Sequence, residues 1–296
     1  MREYFCPVSP EDAGRPIKRV IRSRLGLSHR QFVLLKYQGE MLLDGQPVRA
    51  DKAVRAGQII TVRLAEKDRA AEGRPGPLNI LYQDADILVL DKPAPLPCQA
   101  SSRQEGDALE HYLAWRFRER AGAYTFRPVN RLDKGTSGLM AVAMNAHAQM
   151  VLSACLHTPA FRREYRAIVS GSLPEPEGLV EAPIRKKPGP TVCREVHPGG
   201  RPAVTRYKVL RSDGARSLVQ LVLATGRTHQ IRVHLAHLGC PVLGDYLYGT
   251  EDRERLPGRF ALHSSLLRLT HPQTGEELEF ASELPAEMKA LLPDCP

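Results

Sequence analysis

Residues 203–225 read AVTRYKVLRSDGARSLVQLVLAT. Two strand-like runs, AVTRYKVLR (203–211) and SLVQLVLAT (217–225), follow one another with no helix between them. Both are rich in residues that suit a pleated, half-buried surface. The same texture continues upstream. NILYQDADILVLDKP (79–93) contains two strands, ILY and ILVL, around a turn at Asp84-Ala85-Asp86. LMAVAM (139–144) and REYRAIVSG (163–171) add two more. Helical patterns are fewer. DALEHYLAWRFRERAG (107–122) carries Leu109, Leu113 and Phe117 on one stripe, with Asp107 expected as its N-cap and Gly122 at its end. NAHAQMVLSACLH (145–157) and THQIRVHLAHLG (228–239) complete the set. Strand and helix do not alternate over long stretches. The expected class is therefore α+β, with a mixed, largely antiparallel sheet and not a doubly wound one.

Composition sets the outer bounds. The chain has 296 residues, 42 Lys+Arg against 33 Asp+Glu, a formal charge of +9, and 42% hydrophobic residues. These values belong to a globular protein and exclude wholesale disorder, a collagen-like fibre and a membrane protein. The length suits two domains. The six cysteines, at 6, 98, 155, 193, 240 and 295, form no CxxC pair, which fits free thiols in a reducing compartment. No apolar run approaches the roughly 20 residues that span a bilayer. The opening MREYFCPVSPEDAG has no apolar signal region, so a cytoplasmic location is expected.

The positive charge is concentrated near the start. Residues 15–36, RPIKRVIRSRLGLSHRQFVLLK, hold Arg15, Lys18, Arg19, Arg22, Arg24, Arg30 and Lys36 and no acid. Apolar residues at 17, 20, 21, 25 and at 32, 35 follow helical spacing, with Ser28 as an N-cap between the two runs. Two short helices would then share a basic outer surface. A phosphate backbone is the natural partner, because each Lys or Arg that neutralises a phosphate releases a counterion. The alternative is a solvated basic face that binds nothing specific. LLDGQPV (42–48) signals a hairpin at Asp44-Gly45, and VRAGQIITVRL (54–64) a turn at Gly57 and a strand. EKDRAAEGRPGP (66–77) has the composition of a linker. The expected layout is a small α/β module at 1–65, a linker at 66–77 and a larger domain at 78–296.

Two polar strings carry the chemistry. In RPVNRLDKGTSGLM (127–140), Gly135 and Gly138 allow a tight backbone path that presents Asp133 to solvent. On its own, Asp133 also reads as a turn-former or cap. In ATGRTHQIRVHLAHLGCPVLGDYLYG (224–249), Arg227, His229, Gln230, Arg232, His234 and His237 lie within eleven residues. The spacing of the three histidines is not that of i, i+4 metal ligands, and no acid or cysteine stands among them. His229 and Arg232, three apart on a helix, are neighbours. Such a face is a clamp for an anionic group or an ion-pair partner for a carboxylate.

These strings are similar to the signature motifs of RNA pseudouridine synthases of the RluA/RluD type. NRLDKGTSGL resembles the active-site motif, REYRAIVSG the intervening tyrosine motif, and TGRTHQIRVHLAHLGCPVLGDYLYG the second signature, over about residues 78–290. The helices and hairpin of residues 1–65 resemble an S-four-like RNA-binding module, with Leu27-Ser28-His29-Arg30, Gly39, Asp44-Gly45 and Gly57-Gln58 at its marker positions. The resemblance implies a mixed sheet crossed by a central cleft and the isomerisation of uridine in RNA. By that resemblance Asp133 is the catalytic aspartate, Tyr165 the ring that stacks on the target base, Arg232 the partner of the aspartate, and Arg131 a residue that enters the RNA where the base has left. Arg19, Arg22, Arg24, Arg30, Lys36, Arg227 and His229 are expected to contact RNA.

The chemistry suits such an assignment. The isomerisation involves no net redox change, so no cofactor and no metal are expected. It needs an ionised carboxylate, which a nearby guanidinium favours. It also needs a base taken out of its stack, a few kcal/mol partly recovered by an aromatic platform worth roughly 1–3 kcal/mol. Two positions depart from the family pattern: Asn130 stands where His is common, and Asp91-Lys92-Pro93 where Asn-Lys-Pro is common. Ribosomal RNA and tRNA are both open as substrates, and a monomer is the default. Two other readings stay open at this point, a catalytically idle RNA-binding or ribosome-assembly factor and a metal-dependent hydrolase using the histidines.

Overall fold

The chain divides into two units, Met1–Arg69 and Ala70–Pro296. The computed structural model describes residues 2–25, 27, 29–64, 71–100, 106–119 and 124–292, without the side chains of 2, 29–31, 34, 38 and 64. The predicted N-cap Ser28 and helix end Gly122 lie outside the described residues.

In the first unit, β1 (Arg2–Pro7), α1 (Ile17–Arg24), α2 (His29–Gln38), β2 (Glu40–Leu43), β3 (Gln46–Pro47) and β4 (Ile59–Leu64) follow in order. The strands form one antiparallel sheet in the order β1-β4-β2-β3. The helical spacing of Ile17, Val20 and Ile21 places all three on one enclosed face, in a core with Leu35, Ile60 and Val62. The β2–β3 turn is Asp44-Gly45, with φ of 50° and 80°, the conformation of a two-residue hairpin. Strand β1 is an addition to the expected elements. Tyr4 and Cys6 point into the core and Glu3 and Phe5 point out, the period-2 pattern of an edge strand.

The second unit is built on a nine-stranded sheet. In chain order it contains β5 (Asn79–Gln83), β6 (Ile87–Lys92), α3 (Leu109–Arg116), β7 (Ser137–Ala143), α4 (Ala146–Cys155), β8 (Phe161–Ser170), β9 (Glu177–Glu181), β10 (Ile184–Lys186), β11 (Arg194–Val196), β12 (Val204–Ser212), β13 (Arg216–Leu223), α5 (Gln230–His237), β14 (Leu262–Thr270), β15 (Glu277–Ala281) and α6 (Ala286–Lys289). The sheet order is β5-β6-β7-β14-β8-β13-β12-β9, with β15 also paired to β14 and β10–β11 forming a separate ribbon. Among the described residues the one parallel pairing is β7 with β14, at Ser137–His263 and Gly138–Ser264. The sheet is thus mixed and largely antiparallel, as the strand texture predicts.

The apolar runs are explained by burial on both faces. In β6 and β7, Ile87, Val89, Leu139 and Ala141 face one core, which α4 covers with Ala148 and Leu152. Leu88, Leu90, Met140 and Val142 face the other, which α3 covers with Leu109 and Leu113. A strand enclosed on both sides has no polar alternation.

Asp107 is not the N-cap of α3. The helix begins after Ala108, whose N–H is accepted by His111 Nδ1 at 3.2 Å. Asp107 instead accepts from Arg74 and from the Tyr112 hydroxyl, each at 3.2 Å. A nearby guanidinium competes for the carboxylate that propensity assigns to the cap. Within the segment 66–77, residues 71–77 have no regular structure but follow α3. The Arg74 N–H donates to the His111 carbonyl at 3.1 Å, and a Cβ on Gly76 would meet the Tyr112 ring at 2.2 Å. Residues 66–70 lie outside the described residues.

Candidate active site

Asp133 lies on a loop fastened at several points. Residues 127–130 run beside β7, with Val129 N–H donating to Ala141 and Ala143 N–H to Arg127 at 2.9 and 2.8 Å. The Asn130 side chain joins this pairing, its Oδ1 accepting the Ala141 N–H at 2.9 Å. Beyond the aspartate, Thr136 N–H closes a turn on the Asp133 carbonyl at 3.1 Å. The buried Lys92 donates to the carbonyls of Leu96 and Pro93 at 2.7 and 2.9 Å, and the Leu96 N–H reaches the Lys134 carbonyl at 2.9 Å. Lys92 therefore braces the loop from below. Burial pulls its pKa down to about 8. Gly138 has φ of 107°, and a Cβ there would lie 2.2 Å from the Ser264 carbonyl. Only glycine lets β7 approach β14 at that point.

Asp91, one of the two departures, ends a buried hydrogen-bond chain behind the same loop. Arg259 Nη2 donates to Ser137 Oγ at 3.0 Å. Ser137 Oγ in turn meets His263 Nδ1 at 2.9 Å, and His263 Nε2 meets Ser282 Oγ at 3.1 Å. Ser282 Oγ donates to Asp91. Because Ser282 gives its proton to Asp91, a neutral His263 donates from Nε2 to Ser282 and accepts from Ser137 at Nδ1, which makes Asp91 the terminal acceptor.

Arg232 rises from α5 toward Asp133. Its Nη1 lies 3.0 Å from Asp133 Oδ2. Its Nε and Nη2 lie 2.6 and 2.7 Å from the two oxygens of Asp245, a fully enclosed carboxylate. The Phe260 ring stands 4.1 Å from the guanidinium carbon, and the Tyr248 ring 5.1 Å. Burial alone would lower the pKa of Arg232, but Asp245 and Asp133 outweigh it, and the net shift is upward. The cation is permanent. Asp133 itself is partly exposed, at 28%.

The remaining residues of the second string are mostly internal ties. Gln230 accepts from Arg227 N–H and Thr225 Oγ1 and donates to Val204 and Thr205, joining the start of α5 to β12. His234 is fully enclosed, with Nδ1 at 2.8 Å from Thr205 Oγ1 and Nε2 at 2.9 Å from the Ala182 carbonyl. His237 is exposed at the far end of the helix. The three histidines therefore do not converge on one point. His229 precedes α5 with φ of 58°, a left-handed conformation that is uncommon outside glycine. Its Nδ1 lies 2.8 Å from the Tyr248 hydroxyl and its Nε2 lies 4.0 Å from Asp133 Oδ2. Burial lowers the pKa of His229, with Asp133 opposing, and raises that of Tyr248 to about 12.

A cleft of about 590 Å³ opens over this assembly, lined among others by Asn130, Arg131, Asp133, Tyr165, Arg227, His229 and Arg232. Tyr165 stands on β8 between Leu221 of β13 and Ser264 of β14, with 5% of its surface exposed. Burial raises its pKa, so the phenol is neutral. Six of the residues singled out in the sequence thus meet at one cleft: Arg131, Asp133, Tyr165, Arg227, His229 and Arg232. The other residues expected to contact RNA belong to the first unit. Arg19, Arg22 and Lys36 are exposed on α1 and α2. Arg24 turns back to Asp12 and Ser9, at 2.9 and 2.7 Å, and is engaged within the unit. The side chain of Arg30 lies outside the described residues. Asp245 and Tyr248 are the site residues that the sequence reading overlooked. Both stand inside the second string, and Asp245 is its one acid.

Comparison with known proteins identifies the class. The sequence profile of the family described as RNA pseudouridylate synthase matches residues 86–237. The chain belongs to this family and is an isomerase that converts uridine to pseudouridine in RNA. Among its relatives, the RNA pseudouridine synthase YjbO of Bacillus subtilis is 35% identical over 271 residues, covering 90% of this chain and 95% of that one. The ribosomal large subunit pseudouridine synthase D of Xanthomonas campestris is 36% identical over 267 residues, covering 86% and 80%. Among solved structures, human RNA pseudouridylate synthase domain containing 1 superposes with a TM-score of 0.57 at 29% identity, covering 71% of this chain and 86% of that one. No helix among the described residues is long and apolar enough to cross a membrane.

Proposed function

We propose that this enzyme isomerises uridine in ribosomal RNA of the large subunit, with Asp133 as the carboxylate that engages the ribose, Arg232 as its fixed counter-charge and Tyr165 as the ring beneath the flipped base. The observation that carries this reading is the 3.0 Å contact between Arg232 and Asp133 at a cleft that Tyr165 also lines. The choice of ribosomal RNA is supported by relatives near 36% identity that are named for the large ribosomal subunit. Transfer RNA is the other candidate.

In the reaction the N1–C1′ bond breaks, the base turns, C5 bonds to C1′, and the proton lost from C5 is balanced by one gained at N1. Asp133 takes part by attacking C1′ or by removing a ribose proton, and either role needs an ionised oxygen facing the cleft. Arg131, exposed at the rim, enters the space that the base vacates, and Arg227 and His229 line the path of the strand. Residues 1–65 act as an S-four-like module whose Arg19, Arg22 and Lys36 contact phosphates, a role supported by the exposed, acid-free face of α1 and α2. The protein works as a monomer in the cytoplasm, without cofactor or metal. Mapping of pseudouridines in RNA from cells with the gene, without it, and with Asp133→Asn tests the reading. A site lost in both the deletion and the variant names the substrate; a site retained in the variant refutes the role of Asp133.

A further inference from the structure

The isomerisation moves a charge that the protein must follow. When N1–C1′ breaks, its electron pair leaves with the base. If Asp133 attacks C1′, the carboxylate becomes a neutral ester. If it removes the C2′ proton, it becomes a neutral acid and the ribose a glycal. In both cases one negative charge passes from Asp133 to the uracil, which leaves as its monoanion, spread over N1, O2 and O4. A group that binds this charge more strongly than the starting carboxylate lowers the barrier.

Of the side chains at the start of α5, two are tied to acceptors of the protein itself. Each nitrogen of Arg232 already serves Asp133 or Asp245. Both N–H bonds of the Gln230 amide are directed at Val204 and Thr205. His229 differs. The Tyr248 hydroxyl accepts the Arg194 N–H at 2.8 Å, and among the described residues the acceptor within reach of its own proton is His229 Nδ1, also at 2.8 Å, so donation to Nδ1 is the arrangement that satisfies the phenol. Nδ1 is therefore an acceptor, and the neutral ring carries its proton on Nε2. Among the described residues this N–H has no hydrogen-bond partner. It stands 4.0 Å from Asp133 Oδ2, too far for a hydrogen bond to the resting carboxylate but beside the path of the migrating charge.

We propose that His229, with its tautomer set by Tyr248, is the hydrogen-bond donor that stabilises the uracil anion as the glycosidic bond breaks. The inference rests on the role proposed for Asp133. His229 keeps its proton throughout, and Tyr248 is a positioning residue that acts only through the ring. The left-handed backbone at 229 is consistent with a side chain held for function at a local conformational cost.

The test uses single-turnover conversion of the transcript that the wild-type enzyme accepts, made with uridine or with 5-fluorouridine, followed as loss of the target nucleoside. Fluorine stabilises the departing anion intrinsically, so a variant lacking the donor depends on it more. His229→Asn, which tolerates the left-handed backbone, is expected to slow uridine conversion on the order of 10²-fold, as removal of one preorganised donor does. RNA affinity is expected to stay within about 3-fold, and the deficit to shrink about 10-fold on the fluorinated RNA, with Tyr248→Phe showing the same leaving-group dependence at a smaller deficit. An unchanged rate in His229→Asn, or an equal deficit on both RNAs, overturns the proposal. Full activity of Asp133→Asn in the same assay counts instead against the role given to Asp133.

Discussion

Asp245 grips Arg232 through both carboxylate oxygens, at 2.6 and 2.7 Å, and so turns the remaining nitrogen to within 3.0 Å of Asp133. The two carboxylates have different tasks. One is enclosed and orients the cation; the other is partly exposed and reaches the cleft.

Asp245→Ala leaves a buried guanidinium without its main partner. A loss of about 3–5 kcal/mol is expected, as for other broken buried pairs, together with loss of activity. Asp133→Asn keeps a hydrogen-bonding side chain at the cleft and is expected to change stability by less than about 1 kcal/mol while abolishing conversion. Urea midpoints and single-turnover rates for the two variants separate the roles; equal midpoints would refute the division.

Gly138→Ala combines a positive φ with a Cβ only 2.2 Å from backbone oxygen. Gly214 has φ of 85° but no atom within 4 Å of such a Cβ. The second substitution is expected to cost about 1–2 kcal/mol, the backbone term alone, and the first clearly more, because β7 and β14 must separate. Chemical denaturation of both variants measures the difference.

Four histidines of the second unit, His157, His229, His234 and His263, have pKa values lowered by burial from the ordinary 6.5. In acid the unfolded chain takes up these protons first. Their contribution is complete above pH 6.5 and is lost as pH falls from there toward the folded values, by up to about 1.4 kcal/mol per pH unit for each group and by less for His157, which is exposed to solvent. The urea midpoint is expected to fall from pH 7.5 to 5.5, and His234→Asn to flatten that slope. A midpoint independent of pH over this range would contradict the buried neutral rings.

The basic face of the first unit makes a separate prediction. Replacing Arg19, Arg22 and Lys36 by Ala is expected to weaken RNA binding and to reduce the salt slope of log K by about 0.7–0.9 for each phosphate left without its cation. Arg24→Ala is expected to leave the slope unchanged and to lower the melting temperature of the first unit, because Arg24 holds the enclosed Asp12. Binding isotherms at several salt concentrations decide between a phosphate surface and a merely solvated one.

Much of this architecture is legible in the residues. LMAVAM and ILVL read as buried strands because β-propensity and burial agree there. The basic helices α1 and α2 follow from their apolar spacing, and the residues around Asp133 and Arg232 form dense polar strings. Other parts depend on packing that no local pattern encodes. After Leu262, β14 continues with His263, Ser264 and Ser265: His263 sits in a side-chain hydrogen-bond chain, Gly138 closes on the Ser264 backbone and Ser265 Oγ reaches the Glu164 carbonyl, so the strand lacks the texture of a central one. Asp245 meets Arg232 because the turn 242–249 folds back beneath α5, with Asp245 also accepting from the N–H groups of Leu247 and Tyr248. Helical periodicity stops before that turn.

Each nitrogen of Arg232 directs one N–H at one of the protein's own carboxylates, which holds the guanidinium as an internal tie. In the reading proposed above, discrimination among RNA targets falls to the rim of the cleft, where Arg131 and Arg227 lie. On that reading the interior is insulated from target choice: rim residues can drift toward a new RNA while the isomerisation beneath them goes on undisturbed. Retargeting this enzyme by design is accordingly a problem of its surface and leaves the ion triad as it stands.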